Sequence, residues 1–222
     1  MATPHNPHAE PSTPLVLLVP GRPLAPGHWM HRWARMSEHS EVLELGLWDE
    51  PHRNTWVNKL NLAIRRADRP VVVVTDDIAA LALAWWVEFE HVAAVGAVLG
   101  PMPGPVLGPV LGAVMVGVPN VDLPGADPRL ARFGACPRQP LPFPSFLVTD
   151  LGAEAAHQRA AARLAQDWGA SPVSDDTRGG WAPGWLLVQE LLGTQPAGTL
   201  RPHWTRDENL AVREVLRQWA GF

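Results

Sequence analysis

An unbroken apolar strand followed closely by an apolar helix constrains the fold of this chain more than any other feature. Four consecutive valines, Val71–Val74, follow Arg69-Pro70, and such a β-branched run is typical of a strand buried on both faces. The residues from Leu81 to Trp86 are apolar as well and predict a buried helix. The turn between them reads Thr75-Asp76-Asp77-Ile78. The pattern therefore predicts a buried strand, a sharp turn and a helix.

The segments around this unit also alternate between strand and helix. Sequence patterns predict strands at 15–19, 41–47, 112–118 and 146–149, and helices at 28–37, 54–67, 153–168, 185–192 and 205–219. Gly169 stands where a helix C-terminal cap is expected, and the pair Asp175-Asp176 is interpreted as a solvated loop. Alternation of this kind predicts an α/β fold, a three-layer sandwich with a mostly parallel central sheet, in which Val71–Val74 is the central strand.

Composition narrows the class of protein. The net charge of −4 gives no indication of the basic face that nucleic-acid binding requires. The chain has a single cysteine, Cys136, which excludes a disulfide framework within the chain and fits a reducing compartment. Residues 1–14 lack the charged start and apolar centre of a signal peptide, so we interpret them as a disordered tail of a cytoplasmic protein. His5 and His8 in this tail do not make a metal site, and we expect no cofactor.

The uncharged segment 92–121 is long and apolar enough for a membrane span to be considered. Prolines at 101, 103, 105, 109 and 119 would leave repeated unpaired backbone groups in lipid, so we predict no span. The part from Gly96 to Leu111 needs a cover, because exposed apolar surface of this kind usually marks an interface. With the helix at 205–219, it predicts a homodimer or another protein partner, and packing over the site within one chain is the alternative.

Short motifs spread along the chain resemble those of one known family. In order they are Val19-Pro20-Gly21, Gly27-His28-Trp29, Trp33, Trp48, Pro51, Trp56-Val57, Leu60, Arg69-Pro70, Leu141-Pro142-Phe143-Pro144-Ser145, Trp168-Gly169-Ala170, Trp181 and Pro183-Gly184. This set resembles the small serine hydrolases related to retinoblastoma-binding protein nine and their YdeN-like bacterial relatives. The resemblance implies an α/β-hydrolase domain at 15–192, followed by a linker and an added helix at 193–222.

The sequence departs from the family pattern at the positions of the family's catalytic residues. The resemblance aligns the family's His-Ser-Leu-Gly elbow with Asp76-Asp77-Ile78-Ala79, so Asp77 stands where the nucleophilic serine is expected. The family's acid corresponds to the segment Gly152-Ala153-Glu154, and Asp150 comes three residues before its place. The family's histidine is missing, since none occurs from Gln158 to Pro202. The resemblance therefore implies a degenerate member without Ser-His-Asp turnover.

Asp77 has two interpretations. Haloalkane dehalogenases and epoxide hydrolases, which the chain resembles only at this elbow, use an aspartate there to attack carbon, and a histidine then activates the water that breaks the ester. On that interpretation Asp77 is the nucleophile of a hydrolase for an ester, epoxide or haloalkane, with a base still to be identified. On the other interpretation, Asp77 or Asp76 caps the helix that begins near Ile78, where its carboxylate interacts favourably with the positive end of the helix dipole. The protein then acts by binding.

Other candidate binding residues surround the same turn. Arg22 follows the first strand, where this fold usually supplies one N–H of an oxyanion hole, and His28 lies in the Gly-His-Trp motif and is expected to pack near the surface. Together with Asp76 and Ile78, these residues predict a tryptophan-lined pocket for a small apolar or anionic ligand. The adjacent carboxylates of Asp76 and Asp77 would oppose an anion.

Overall fold

The computed structural model describes residues 13–97, 110–123, 125, 127–175 and 184–193. Its strands are Leu15–Val19 (β1), Ser40–Val42 (β2), Val71–Asp76 (β3), Val110–Val116 (β4), Ser145–Asp150 (β5) and Ser171–Asp175 (β6). The α-helices are Trp29–Met36 (α1), Arg53–Arg66 (α2), Ala79–Ala97 (α3), Ala155–Trp168 (α4) and Gly184–Gly193 (α5). A 3-10 helix, Pro128–Arg132, lies between β4 and β5.

The strands form one parallel sheet in the order β2-β1-β3-β4-β5-β6. Along β3, Val72 pairs with Val16 of β1 on one side and with Gly112 of β4 on the other. The prediction that Val71–Val74 is the central strand, between the strands predicted at 15–19 and 112–118, is therefore confirmed. The strand order reverses between β1 and β3, and in sheets of this type ligands bind at the carboxyl ends of the strands at such a point.

The core lies in two layers, one on each face of the sheet. Val71 and Val73 belong to a buried cluster with α2, α3 and α4, whereas Val72 and Val74 belong to a second cluster with α1 and α5. Successive strand residues point to opposite faces, so the run of four valines is explained by burial on both sides. The predicted three-layer α/β sandwich is confirmed.

Two segments differ from the predictions. The strand predicted at 41–47 is only Ser40–Val42, because Gly46 and Leu47 adopt left-handed backbone conformations, with φ of 69° and 53°, that a strand cannot contain. Asp175, interpreted as part of a solvated loop, is instead the last residue of edge strand β6, which pairs with β5 from Phe146–Ser171 to Asp150–Asp175. Its sequence, Ser-Pro-Val-Ser-Asp, has one strong β-former and a proline, which only an edge strand tolerates.

Several predictions concern residues outside the described ranges. They are the tail up to residue 12, most of the segment Gly96–Leu111 and the helix at 205–219. The domain boundaries and the protein contacts assigned to those segments stay predictions.

Gly169 has the left-handed φ of 65° expected of a helix C-terminal cap. Among the helices that are described, none combines the length and apolarity needed to cross a membrane.

Candidate functional site

The turn after β3 holds Asp77 in a backbone conformation that few side chains adopt. Asp77 has a φ of 56°, in the left-handed region that aspartate tolerates better than most residues. Its amide donates to the carbonyl oxygen of Val116 at 2.9 Å, and its own carbonyl accepts from the amide of Ala80 at 3.3 Å. The turn is therefore fixed between β4 and α3, with the Asp77 side chain presented at the carboxyl end of β3.

Gly21, just after β1, closes tightly against this turn. A Cβ atom at Gly21 would lie 2.6 Å from the carbonyl oxygen of Asp76 and 2.8 Å from the amide nitrogen of Ile78. Both neighbours are backbone atoms, which cannot rotate away. Only glycine fits where the β1 loop meets the turn, and this contact sets the position of Arg22.

Two arginines pair with the carboxylate of Asp77. Arg22 approaches Oδ2 with Nη2 at 2.8 Å and Nε at 3.2 Å, and Arg129 approaches the same oxygen with Nη2 at 2.7 Å. The Asp77 side chain is 9% exposed and that of Arg22 is 57% exposed. The expectation was that Asp77 or Asp76 caps α3. The described hydrogen bonds of the Asp77 carboxylate come from guanidinium groups and not from helix N–H groups.

Arg129 is a site residue that the sequence did not reveal. Besides Asp77, its guanidinium contacts both oxygens of Asp127, and Nη1 donates to the carbonyl oxygen of Gly21 at 3.0 Å. Asp127 in turn caps the 3-10 helix by accepting from the amide of Arg129 at 2.9 Å. The pairing with Arg129 lowers the pKa of Asp127 and raises the pKa of Arg129, so both groups stay charged. An Asp-Pro pair is typical of a helix start and was the one available signal.

His28 begins α1 and faces Asp76. Its Nδ1 accepts from the amide of Met30 at 3.3 Å, so a neutral ring carries its proton on Nε2. Nε2 lies 3.6 Å from Oδ2 of Asp76, a contact longer than a hydrogen bond. The side chain is 18% exposed, in agreement with the expected packing near the surface. The nitrogen lone pair that a general base requires is therefore occupied by the backbone.

A cavity of about 420 Å³ opens at the carboxyl ends of the strands. The described residues that line it are Arg22, His28, Trp29, Asp76, Asp77, Val116, Gly117, Val148, Asp150 and Asp175. The structure thus brings together four of the five residues singled out around the turn. The fifth, Ile78, does not line the cavity, because its side chain is fully buried in the core cluster with α2 and α3.

Asp150 and Asp175 reach the cavity as the last residues of neighbouring strands. They pair in register at the ends of β5 and β6, and Oδ1 of Asp150 accepts from the amide of Gly152 at 2.7 Å. Asp175 was missed because β6 was not predicted. In the part of the chain that the structure describes, His, Cys, Asp and Glu side chains form no group of three or more that could hold a metal ion.

The sequence matches the family model described as serine hydrolase over residues 16–181. The chain belongs to the serine hydrolase family. The resemblance noted from its motifs is therefore confirmed. In this serine hydrolase family member, the strained turn position that the resemblance assigns to the nucleophile carries Asp77, held by two arginines.

Several solved structures share the fold of this serine hydrolase family member. A YdeN-like hydrolase from Pectobacterium atrosepticum has a TM-score of 0.63 at 18% identity, covering 80% of this chain and 90% of its own. The ydeN gene product of B. subtilis has a TM-score of 0.55 at 13% identity, covering 82% and 100%. Esterase B from Lactobacillus rhamnosis has a TM-score of 0.52 at 12% identity, covering 96% and 79%. At these identities the likeness shows the fold alone. Among curated proteins, none matches significantly.

Proposed function

We propose that this member of the serine hydrolase family has lost Ser-His-Asp turnover and acts by binding a small ligand in the cavity beside Asp77. The observation that carries the proposal is the pairing of Asp77 with Arg22 and Arg129 at the nucleophile position. Two guanidinium groups stabilise the ground state of the carboxylate. A nucleophile stabilised in this way has a higher barrier for attack on carbon.

Among the described residues that line the cavity, the other groups that turnover needs are missing. These residues include no serine or cysteine, and the imidazole among them, that of His28, uses Nδ1 to accept from the Met30 amide. A covalent ester on Asp77 would require a base to activate water. Without that base, a first reaction would leave the protein blocked.

A hydrolase that uses Asp77 as nucleophile is the second candidate. It is favoured by the left-handed turn, with φ of 56° at Asp77, and by the opening of this carboxylate into a cavity. Strain of this kind is frequent at catalytic positions. On this alternative the substrate is an ester, epoxide or haloalkane.

Covalent trapping separates the two candidates. We expect no labelling of the purified full chain by a fluorophosphonate probe, and no steady hydrolysis of a p-nitrophenyl ester. Intact mass measured after incubation with an alkyl halide and with an epoxide should show no adduct, because Asp77 is held by its arginines. A fluorophosphonate adduct on a serine would overturn the loss of serine chemistry.

Two variants, Asp77→Asn and Asp150→Asn, identify the side chain responsible for any covalent reaction. An alkyl adduct that is absent from Asp77→Asn but present in Asp150→Asn would establish the alternative, since both aspartates line the cavity and only one stands at the elbow. The absence of adducts in all three proteins supports the binding role.

A cytoplasmic location and a homodimer are further parts of this proposal. The first is supported by the single cysteine, and the second by the apolar segments at 96–111 and 205–219. Light scattering on the full chain and on a truncation ending at Gly193 tests the dimer. A dimer that is lost on truncation would place the C-terminal segment in the dimer contact. A monomer in both cases would show that this segment forms no dimer contact.

A further inference from the structure

The geometry points to the chemical class of the ligand: a small organic cation, a primary or secondary ammonium ion, whose N–H group donates to Asp77 and whose apolar part lies against Val116 and Val148. This inference rests on the proposed binding function and names the ligand class for the same cavity. Three observations carry it. They are an open acceptor atom, the balance of charge around the cavity, and the mixture of apolar and acidic side chains in its lining.

The open acceptor is Oδ1 of Asp77. All the described hydrogen bonds of this carboxylate, from Arg22 and Arg129, end on Oδ2. None of the described residues donates to Oδ1, although the side chain is only 9% exposed and lines the cavity. A carboxylate oxygen that is largely removed from water is stabilised by a donor, and the cavity is where a donor can enter.

The charge around the cavity selects the sign of the ligand. Among the described residues of its lining, the carboxylates of Asp76, Asp77 and Asp150 stand against one guanidinium, that of Arg22. Arg129 stands behind Asp77 and adds little net charge, because it is itself paired with Asp127 at 2.7 Å. A cation is therefore attracted and an anion is repelled, in a site where partial burial strengthens both effects.

The shape of the lining favours an organic cation over a metal ion. The described acidic side chains do not converge in a group that could coordinate a metal. Val116, Val148 and Trp29, in contrast, provide apolar surface in the lining. A volume of about 420 Å³ lies within the range usual for small-molecule sites. An ammonium group on a short alkyl or aryl body matches both features.

Calorimetric titration of the full chain with matched pairs of probes tests the inference. The pairs are benzylammonium against benzoate, butylammonium against butyrate, and cyclohexylammonium against cyclohexanecarboxylate, each at pH 7. We expect saturable binding of one or more ammonium ions and none of the carboxylates. Failure of every ammonium ion to bind more tightly than its carboxylate partner would overturn the inference.

Two variants that change the charge of the cavity in opposite directions test whether the ammonium ion binds in it. Asp150→Asn should weaken ammonium binding by roughly three- to tenfold, and Arg22→Gln should strengthen it by a similar factor. Asp150→Asn keeps the oxygen that accepts from Gly152, and Arg22 is 57% exposed, so both variants should fold. Asp68→Asn, with an 84% exposed side chain away from the cavity, is the matched control and should bind as the parent does.

Equal affinities in all four proteins would mean that the cation binds elsewhere and would overturn the inference. The proposed binding function has a separate readout, since it fails only if covalent trapping or steady turnover is found. Binding of a carboxylate with no ammonium binding would refute the ligand class and leave the binding function in place.

Discussion

Asp77 accepts a hydrogen bond of 2.7 Å from Arg129, a residue 52 positions further along the chain. The same guanidinium binds Asp127 and the carbonyl oxygen of Gly21. One side chain therefore fastens the loop after β1, the turn after β3 and the 3-10 helix after β4. The carboxylate at the family's nucleophile position is part of the structural framework of the cavity.

The first prediction concerns this shared guanidinium. Arg129→Met removes a donor whose side chain is 17% exposed and leaves Asp77 and Asp127 short of their partner. Breaking a buried pair on one side usually costs about 3–5 kcal/mol, and Arg22 still holds Asp77, so we expect a loss of about 2–4 kcal/mol in the free energy of unfolding. Urea denaturation at pH 7 measures it.

Arg22→Gln is the matched comparison for that variant. Arg22 pairs with the same oxygen of Asp77 but is 57% exposed, and exposed ion pairs contribute about 0–1 kcal/mol. We expect Arg22→Gln to unfold within about 1 kcal/mol of the parent. If it destabilised the protein as much as Arg129→Met, the central position given to Arg129 would be wrong.

The second prediction tests the close approach of Gly21 to the turn. Gly21→Ala places a Cβ atom within 2.9 Å of three backbone atoms, so the turn must shift. Overpacking against rigid neighbours usually costs 1–3 kcal/mol, and we expect about 3 kcal/mol here. Gly27→Ala, in the next loop with nothing within 4 Å of its Cβ position, should change the unfolding midpoint little. Equal effects of the two substitutions would contradict the contact.

The sequence predicts the centre of the fold because its signals there are local. Val71–Val74 can be buried on both faces only in the middle of a sheet, and the turn that follows must bring Asp77 to the carboxyl end. Arg22 and His28 were found because they lie in motifs next to the first strand. These residues line the same cavity.

The rest of the site depends on contacts between distant segments. Nothing in Asp127-Pro128-Arg129 indicates that its arginine crosses to Asp77, since a helix start of this kind is common on any surface. Asp175 could not be placed without β6, whose short polar sequence becomes a strand only because β5 offers a free edge. Tertiary pairing, and not local propensity, assembles this half of the cavity.

The third prediction is a pH dependence of stability that involves Asp127. The pairing with Arg129 lowers its pKa in the folded protein below the ordinary value of 3.8. The pair therefore stabilises the fold fully above about pH 5 and loses its effect as the pH falls through the folded pKa. Asp127→Asn should cost about 1–2 kcal/mol at pH 7, and the difference from the parent should shrink below pH 3.8.

Urea denaturation at a series of pH values from 7 down to 3 measures this difference. The asparagine retains an oxygen for capping, so the comparison isolates the charge. A difference that stays constant over the whole series would show that the charge of Asp127 contributes nothing.

The fourth prediction concerns the thiol of Cys136. Partial burial raises its pKa to about 12, and its Sγ donates to the carbonyl oxygen of Pro137 at 3.4 Å. Since the thiolate is the reactive form, the native protein should react with a disulfide reagent at pH 8 at least about 100-fold more slowly than the urea-unfolded chain. The chain has one cysteine, so the absorbance change reports this site alone. Comparable rates in the two states would contradict the raised pKa of this partly buried thiol.

The last prediction distinguishes two contributions to stability: the cost of leaving a buried charge without its partner, and the net contribution of the ion pair. Glu90 on α3 is 2% exposed, and Nη2 of Arg65 on α2 lies 3.1 Å from both of its oxygens. Arg65→Met leaves this carboxylate buried without its cation and should cost about 3 kcal/mol. The double variant Arg65→Met/Glu90→Met removes both charges and should unfold within about 1 kcal/mol of the parent, because an apolar pair of similar volume often replaces a buried ion pair without loss. Arg66→Met, on the exposed side of the same helix, is the control in urea denaturation. A double variant as unstable as Arg65→Met alone would mean that the pair contributes net stability to the contact between α2 and α3.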